Sequence, residues 1–555
     1  MRCFLIFVFT FSLGFSKQLF ESDSLDVFDL NIINTFNLEI SNIGDPILFL
    51  VLPLQNNNFS LSHYSQKVRF VDYDKKDHLI ESDSIYSHIF YQSAYNAGGV
   101  LKTFLTRPIG KNVKLKFSYD NLSSEGFLQH QQNKYSSLFL SLHYINKKTD
   151  YSLFFSFLSN NATYNQNGGV IYDSLVSLDL MQPYLTAQSI LKNRELKLNH
   201  HYQIHNKLKL RYGIFINFFE RYFIDSDPTS FYYSLTPLYY SIVSDYSLTS
   251  YFTRVLNTLS LLNENISFTI NHNYYNSDNL VVNNIGDLDI SISSSELFKK
   301  DKNINFNVNF CPIGYNKNNY ILDFDVYKNL KKSTHNLKII LNSKKPNFFT
   351  EHYNTSYSFN WNEFNSLGTI SMFFNSYFNK SKILISSSLN QYSNYLYFNE
   401  LVSPVQLEEK LLYFNLILNK DWHFKKMFLK SSFCFQQSDN TVLSVPSFLF
   451  QQKIEYKSLL LKDISFLSSF TFNIFSKYYI NSYFPLTDLF YRQINQKNGL
   501  IPLGSLSFAI EKADFSFGLV FRNISSLFLE NNFLINNYPI PPQTVQLSIK
   551  WQLLN

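Results

Sequence analysis

Little in this sequence punctuates the chain. Among 555 residues there are only 15 glycines and 15 prolines, few for a protein built from many tight sandwich turns. Three cysteines occur, Cys3, Cys311 and Cys434, and Cys3 lies in an expected leader. Two remaining cysteines make neither a disulfide scaffold nor a zinc site. A Cys311–Cys434 bridge stays open in an oxidising compartment. The net charge is +6, small for this length, and no block of like charge suggests a nucleic-acid surface. No P-loop, GxGxxG, CxxC or HExxH is present. Outside the N-terminus no apolar run is long enough to cross a bilayer as a helix.

What is present is finely mixed. Apolar residues make up 45%, yet the mean hydropathy is slightly negative. Aromatic residues reach 18%, with 57 Phe and 39 Tyr. An AT-rich genome would favour Phe, Tyr, Asn, Lys and Ile. A membrane barrel also needs Phe for its lipid-facing band and Tyr or Trp at the water interfaces. At the N-terminus, Arg2 gives a positive start and Cys3 to Phe11 a short apolar run. Gly14-Phe15-Ser16 then places small residues before a cut at Lys17, the pattern of a signal peptide over 1–16.

The repeating signal has period two. Val113, Leu115, Phe117 and Tyr119 alternate with Lys114, Lys116 and Ser118. Leu208, Leu210, Tyr212 and Ile214 alternate with Lys207, Lys209, Arg211 and Gly213. Ile304, Phe306, Val308 and Phe310 alternate with Asn303, Asn305, Asn307 and Asn309, and Asp323 and Asp325 lie between Leu322, Phe324 and Val326. A strand sends successive side chains to opposite faces, so each segment has one apolar and one wet face. A soluble sandwich alternates in the same way. Against it stand the missing domain boundary, the Asn-, Ser- and Lys-rich wet faces and the scarce turn residues. The expected fold is therefore all-β, a transmembrane antiparallel barrel of outer-membrane type. At about ten residues per strand it would hold roughly 16–20 strands.

Leu138, Leu140, Leu142 and Tyr144 run into the polar turn Asn146-Lys147-Lys148-Thr149-Asp150, and the chain returns through Tyr151, Leu153, Phe155 and Phe157. Longer polar stretches at 219–236, 390–409, 478–503 and 523–543 read as extracellular loops, since such barrels keep periplasmic turns short. Val545, Leu547, Ile549, Trp551 and Leu553 predict the closing strand. Residues 17–60 read as a periplasmic segment or the first strands, and 61–555 as the barrel. No segment is long enough for the folded plug of a TonB-dependent transporter.

Two regions resemble the "putative porin" family of Bacteroidota outer membranes. The first, 31–176, carries Asn42-Ile43-Gly44-Asp45-Pro46, Tyr119-Asp120-Asn121-Leu122-Ser123-Ser124-Glu125-Gly126 and Asn167-Gly168-Gly169-Val170-Ile171. The second carries Tyr478-Tyr479, Tyr483-Phe484-Pro485, Phe490-Tyr491-Arg492-Gln493, Gly499-Leu500-Ile501-Pro502 and Tyr538-Pro539-Ile540-Pro541, ahead of Trp551. Ser505 and Gln543 depart from the family's acidic and Arg residues. Between 180 and 470 only the strand texture matches. The resemblance implies an outer-membrane location and a pore.

No catalytic, cofactor or metal site is expected, and the protein is not expected to be an enzyme. His200, His201 and His205 cluster, but 201 and 205 sit ~13 Å apart along a strand, and they read as solvated or lumen-facing. The pore-lining candidates are Lys114, Lys116, Lys207, Lys209, Arg211, Asp323 and Asp325. Their mixed signs predict at most a weak anion preference. Expected partners are the outer-membrane lipid bilayer, small hydrophilic solutes, and the barrel-assembly machinery through the C-terminal strand. Nucleic acid is not expected, and a homo-oligomer is open. The leading function is a channel for passive diffusion of small hydrophilic solutes. The alternatives are a non-conducting structural, adhesive or assembly barrel, which its own long loops could plug, and a hydrophobic-substrate transporter.

Overall fold

The structure, a computed structural model, describes residues 37–39, 42–45, 47–51, 85–146, 148–205, 207–226, 246–277, 285–294, 302–346, 364–527 and 533–554. The expected leader and residues 61–84 lie outside these. The wall of the molecule is a closed antiparallel barrel. Its strands are β1 (Tyr86–Ser93), β2 (Gly98–Ile109), β3 (Val113–Ser124), β4 (Asn133–Asn146), β5 (Tyr151–Gln166), β6 (Ala187–His205), β7 (Leu208–Asp225) and β8 (Tyr246–Asn263). There follow β9 (Ile266–Asn276), β10 (Ile285–Ser294), β11 (Lys302–Gly314), β12 (Tyr320–Asn329), β13 (Ser333–Lys344), β14 (Leu367–Phe378) and β15 (Ile383–Ser393). The circle is completed by β16 (Leu411–Phe424), β17 (Met427–Ser438), β18 (Phe448–Leu461), β19 (Ile464–Phe475), β20 (Leu503–Lys512), β21 (Phe515–Arg522) and β22 (Thr544–Leu554).

The barrel thus has 22 strands, more than the 16–20 expected. Turns as short as 425–426, 462–463 and 513–514 leave chain for the extra strands. Part of one expected loop is also wall, because β7 runs through Phe219 to Asp225. The closing strand falls where the terminal alternation placed it. β22 pairs with β21 on one side and β1 on the other, with Ile549 opposite both Phe517 and Tyr91. Closure is what lipid demands, since an open edge would leave backbone donors and acceptors without partners.

Register aligns the side chains into rows. Phe117, Leu140, Phe157, Leu196, Ile216 and Val255 stand opposite one another across β3 to β8. This is the outer, lipid-facing row. The same strands turn smaller and polar groups inward. On β4, Leu138 and Leu142 are 36% and 37% exposed, whereas Ser137 and Ser141, the residues just before each, are 0% and 2% exposed. Above the apolar band, outward positions become Ser136, Ser159, Asn161, Lys192 and Arg194. The expected hairpin at 146–150 is present, and the rings of Tyr144 and Tyr151 flank it 6.4 Å apart.

The two ends of the barrel differ. One end carries the short turns, together with the start of β1 and the end of β22. The other carries the longer connections, among them 125–132, 167–186, 394–410, 476–502 and 523–543. Of the N-terminal segment, Asn37–Glu39 pairs with Ile47–Phe49 in a small hairpin separate from the wall.

Candidate functional site: the lumen and the loops folded into it

Six of the seven residues chosen from the sequence face the lumen. On β3, Lys114 and Lys116 share the inner face with Ser118 and Asp120. On β7, Arg211 stands opposite His201 of β6, and Lys209 opposite Gln203. Asp323 and Asp325 of β12 stand inside, opposite Asn307 and Asn305. Lys207 does not line the wall. It precedes β7 in the tight turn at the short-turn end, where it reaches Glu264 at 3.7 Å with its side chain 69% exposed. The strand begins one residue later than its alternation, because the turn from His205 to Leu208 consumes it.

The candidates do not form one ring. Asp323 pairs with Lys338 of β13 at 2.8 Å, and Asp325 accepts a hydrogen bond from Asn336. These carboxylates are held by neighbouring strands, about five strands round the wall from Arg211. The histidines are divided as well. His200 points outward to the Tyr151 hydroxyl at 2.8 Å, His201 points inward, and His205 sits at the turn. Among the described residues no group of His, Cys, Asp and Glu is arranged to hold a metal ion. Cys311 and Cys434 are both buried and free. They lie on β11 and β17, six strands apart, so the bridge left open by the sequence does not form.

The dominant feature is held by residues the sequence did not single out: at the long-loop end the connections fold inward and cross the lumen. Loop 476–502 leaves β19, and its Asp488 reaches β7 on the far side. There the Arg221 Nε donates to Asp488 Oδ2 at 2.7 Å, and the Arg221 Nη2 donates to the Pro485 carbonyl at 3.1 Å. The pair is sealed, with side chains 0% and 2% exposed. Tyr483 donates its hydroxyl to Asp488 Oδ1 at 2.8 Å. Burial, and then the adjacent carboxylate, push the Tyr483 hydroxyl well above the ordinary phenol range, so it remains a donor. Apolar packing covers the latch, with Phe484, Leu486, Leu489 and Tyr491 meeting Leu185, Ala187, Phe223 and Phe398.

Other segments complete this cap. Asn42 Nδ2 donates to the carbonyls of Gln131 and Ser124, at 2.8 and 3.4 Å, and accepts from the Ser124 hydroxyl at 2.6 Å. Asn133 Nδ2 donates to Asp45 Oδ1 at 2.7 Å. A few residues on, the Leu50 carbonyl accepts from Gln436 of β17 at 2.7 Å, so Asn42 and Leu50 tie the N-terminal segment to β3–β4 and to β17. Loop 523–543 joins in through Val170, whose N–H donates to the Asn537 carbonyl at 2.9 Å. Gly169 must be glycine there. Its φ is +84°, and an added Cβ would stand 2.5 Å from the Asn537 carbonyl oxygen, inside contact distance.

A family model described as "Putative porin" matches residues 30–555. This chain belongs to that family. The porin-family barrel is also similar in fold to solved receptors. The siderophore receptor PirA from Acinetobacter baumannii matches with TM-score 0.61 at 9% identity, over 85% of this chain and 81% of the receptor. The ferric-catecholate import receptor Fiu from Escherichia coli K12 matches with TM-score 0.60 at 10% identity, over 85% and 82%. The FrpB iron transporter from Neisseria meningitidis matches with TM-score 0.59 at 9% identity, again over 85% and 82%. No curated protein matches. Family and fold together place this porin-family barrel in the bacterial outer membrane.

The motifs that carry the family resemblance converge on the cap. Asn42, Ser124, Gly126, Gly169, Tyr483, Pro485 and Tyr538 all lie at its contacts or in its clusters. Arg221 was missed because its segment lacks clean alternation and reads as loop. The available signal was an arginine among Phe218, Phe219, Tyr222 and Phe223, positions at which a buried guanidinium needs a carboxylate.

Proposed function

We propose that this protein is an outer-membrane channel for small hydrophilic solutes, narrowed at its long-loop mouth by its own cap. The observation that carries the proposal is the predominantly polar inner face. Ser118, Asp120, Ser137, Ser141, Asn160 and Asn199 line β3 to β6, and the inward Asn303, Asn305, Asn307 and Asn309 line β11. Such a face solvates small polar solutes and disfavours a hydrophobic cargo. By the rule that barrels keep periplasmic turns short, the capped mouth faces outward. The role is passage, with no catalytic step. The likeness to siderophore receptors is one of fold, at 9–10% identity, and supports no iron cargo here.

A second reading is a non-conducting structural or adhesive barrel, and the cap crossing the lumen favours it. Single-channel recording of the refolded protein in planar bilayers separates the two. Stable, stepwise openings of small conductance are expected for the channel. A folded, heat-modifiable but electrically silent barrel would favour the second reading.

A further inference from the structure

Just inside the short-turn mouth, the inner wall gathers lysine and arginine side chains from three strands and two histidines beside them. Lys114 on β3 stands opposite His143 on β4. On β6, Lys197 and His201 share the inner face, and His201 stands opposite Arg211 on β7. Lys209 is two positions from Arg211, on the same face. Arg211, His143 and Lys209 all act electrostatically on His201, so these groups form one neighbourhood. The inward carboxylate of β6, Glu195, lies six positions from His201, ~20 Å along the strand. It already accepts from Asn193 at 2.9 Å and from Asn217 at 3.5 Å.

Like charges gathered on a low-dielectric wall repel one another and raise the local anion concentration. Arg211 adds direction to this field. Its Nε is buried and, among the described residues, meets no hydrogen-bond acceptor. An unmet buried donor is costly, and a guanidinium edge matches two oxygens of an oxyanion better than a spherical halide.

We infer that Arg211, Lys209, His201 and His143 form a lumenal subsite for oxyanions, namely phosphate and small phosphorylated or carboxylated solutes. Arg211 is the directional ligand, Lys209 supplies surrounding positive charge, and each of the two imidazoles offers an N–H donor. The inference deepens the channel reading and rests on it for its biological sense, but the binding itself does not require conduction.

The test uses the refolded full barrel and two measurements. In planar bilayers at constant ionic strength, inorganic phosphate should reduce the chloride current. The double variant Arg211→Gln/Lys209→Gln should weaken that block by about tenfold, since it removes the charge-assisted contact of Arg211 and the neighbouring charge of Lys209. Lys192→Gln, a charge loss on the outer face, should leave it unchanged. In detergent micelles, phosphorus NMR line broadening should report phosphate binding by the parent barrel and its loss in the double variant. Heat-modifiable migration confirms that each variant is folded. Phosphate binding by an electrically silent barrel would keep the subsite and overturn the channel. A conducting barrel with neither block nor binding would keep the channel and overturn the subsite. Equal binding by parent and double variant would also overturn it.

Discussion

The wall and the cap of this barrel are held by different physics. The wall is a ladder in which each strand is bonded to two neighbours and every second side chain repeats the same choice between lipid and lumen. Its specification is spread over hundreds of residues, and Phe117, Leu140 and Phe157 are interchangeable members of one row. The cap has no such repetition. It is fixed by a few irreplaceable groups, above all the sealed pair of Arg221 and Asp488, the Asn42 turn on Ser124 and Gln131, and Gly169 against Asn537. A redundant structure loses little from one substitution, whereas a structure held by single contacts is lost at one of them.

The largest expected effect breaks the cap and spares the wall. Asp488→Leu leaves Arg221 charged and buried without its carboxylate, which costs about 3–5 kcal/mol. Limited proteolysis should then cut within 476–502 while the barrel keeps its heat-modifiable migration. The double variant Asp488→Leu/Arg221→Met should recover part of the protection. The next effect strikes the wall. Leu140→Arg places a cation on the lipid face and should destabilise the barrel by about 2–4 kcal/mol near the bilayer midplane, read as a shift in the urea refolding midpoint in lipid vesicles. Loss of the wall with an intact cap would contradict this division, because the cap has no other frame.

Asn42→Ala should cost about 1–3 kcal/mol, by leaving buried partners at Ser124 and Gln131 unmet. Hydrogen exchange should quicken at 125–132 and remain unchanged on β9 to β12. The smallest effect is electrical. Lys114→Glu with Lys116→Glu reverses two inward charges on β3 without touching the cap, and should move the reversal potential toward cations in a salt gradient. An unchanged reversal potential would mean that these lysines lie outside the path of the ions.

The sequence made the wall legible because a period of two survives any neighbour. The segments at Val113–Tyr119 and Tyr320–Val326, the turn at 146–150 and the closing strand all follow from alternation alone. Strand number was underestimated because alternation does not reveal how short the turns between strands are. The placement of Lys207 failed at a strand end, where one residue of turn decides the face. The cap was illegible for a different reason. Its contacts join residues hundreds of positions apart, such as Arg221 with Asp488 and Gln436 with Leu50, and no local pattern encodes such a meeting. Its motifs were visible as a family likeness, yet they read as turns and outward loops.

If a polar lumen conducts beneath a cap latched by Arg221 and Asp488, releasing the latch should widen the path. Single-channel recording of the parent barrel and Asp488→Leu, side by side in the same bilayer, tests it most directly. Small stepwise openings are expected for the parent and a several-fold larger, still stepwise conductance for the variant. Two folded barrels that are both silent, or that conduct equally, would contradict it.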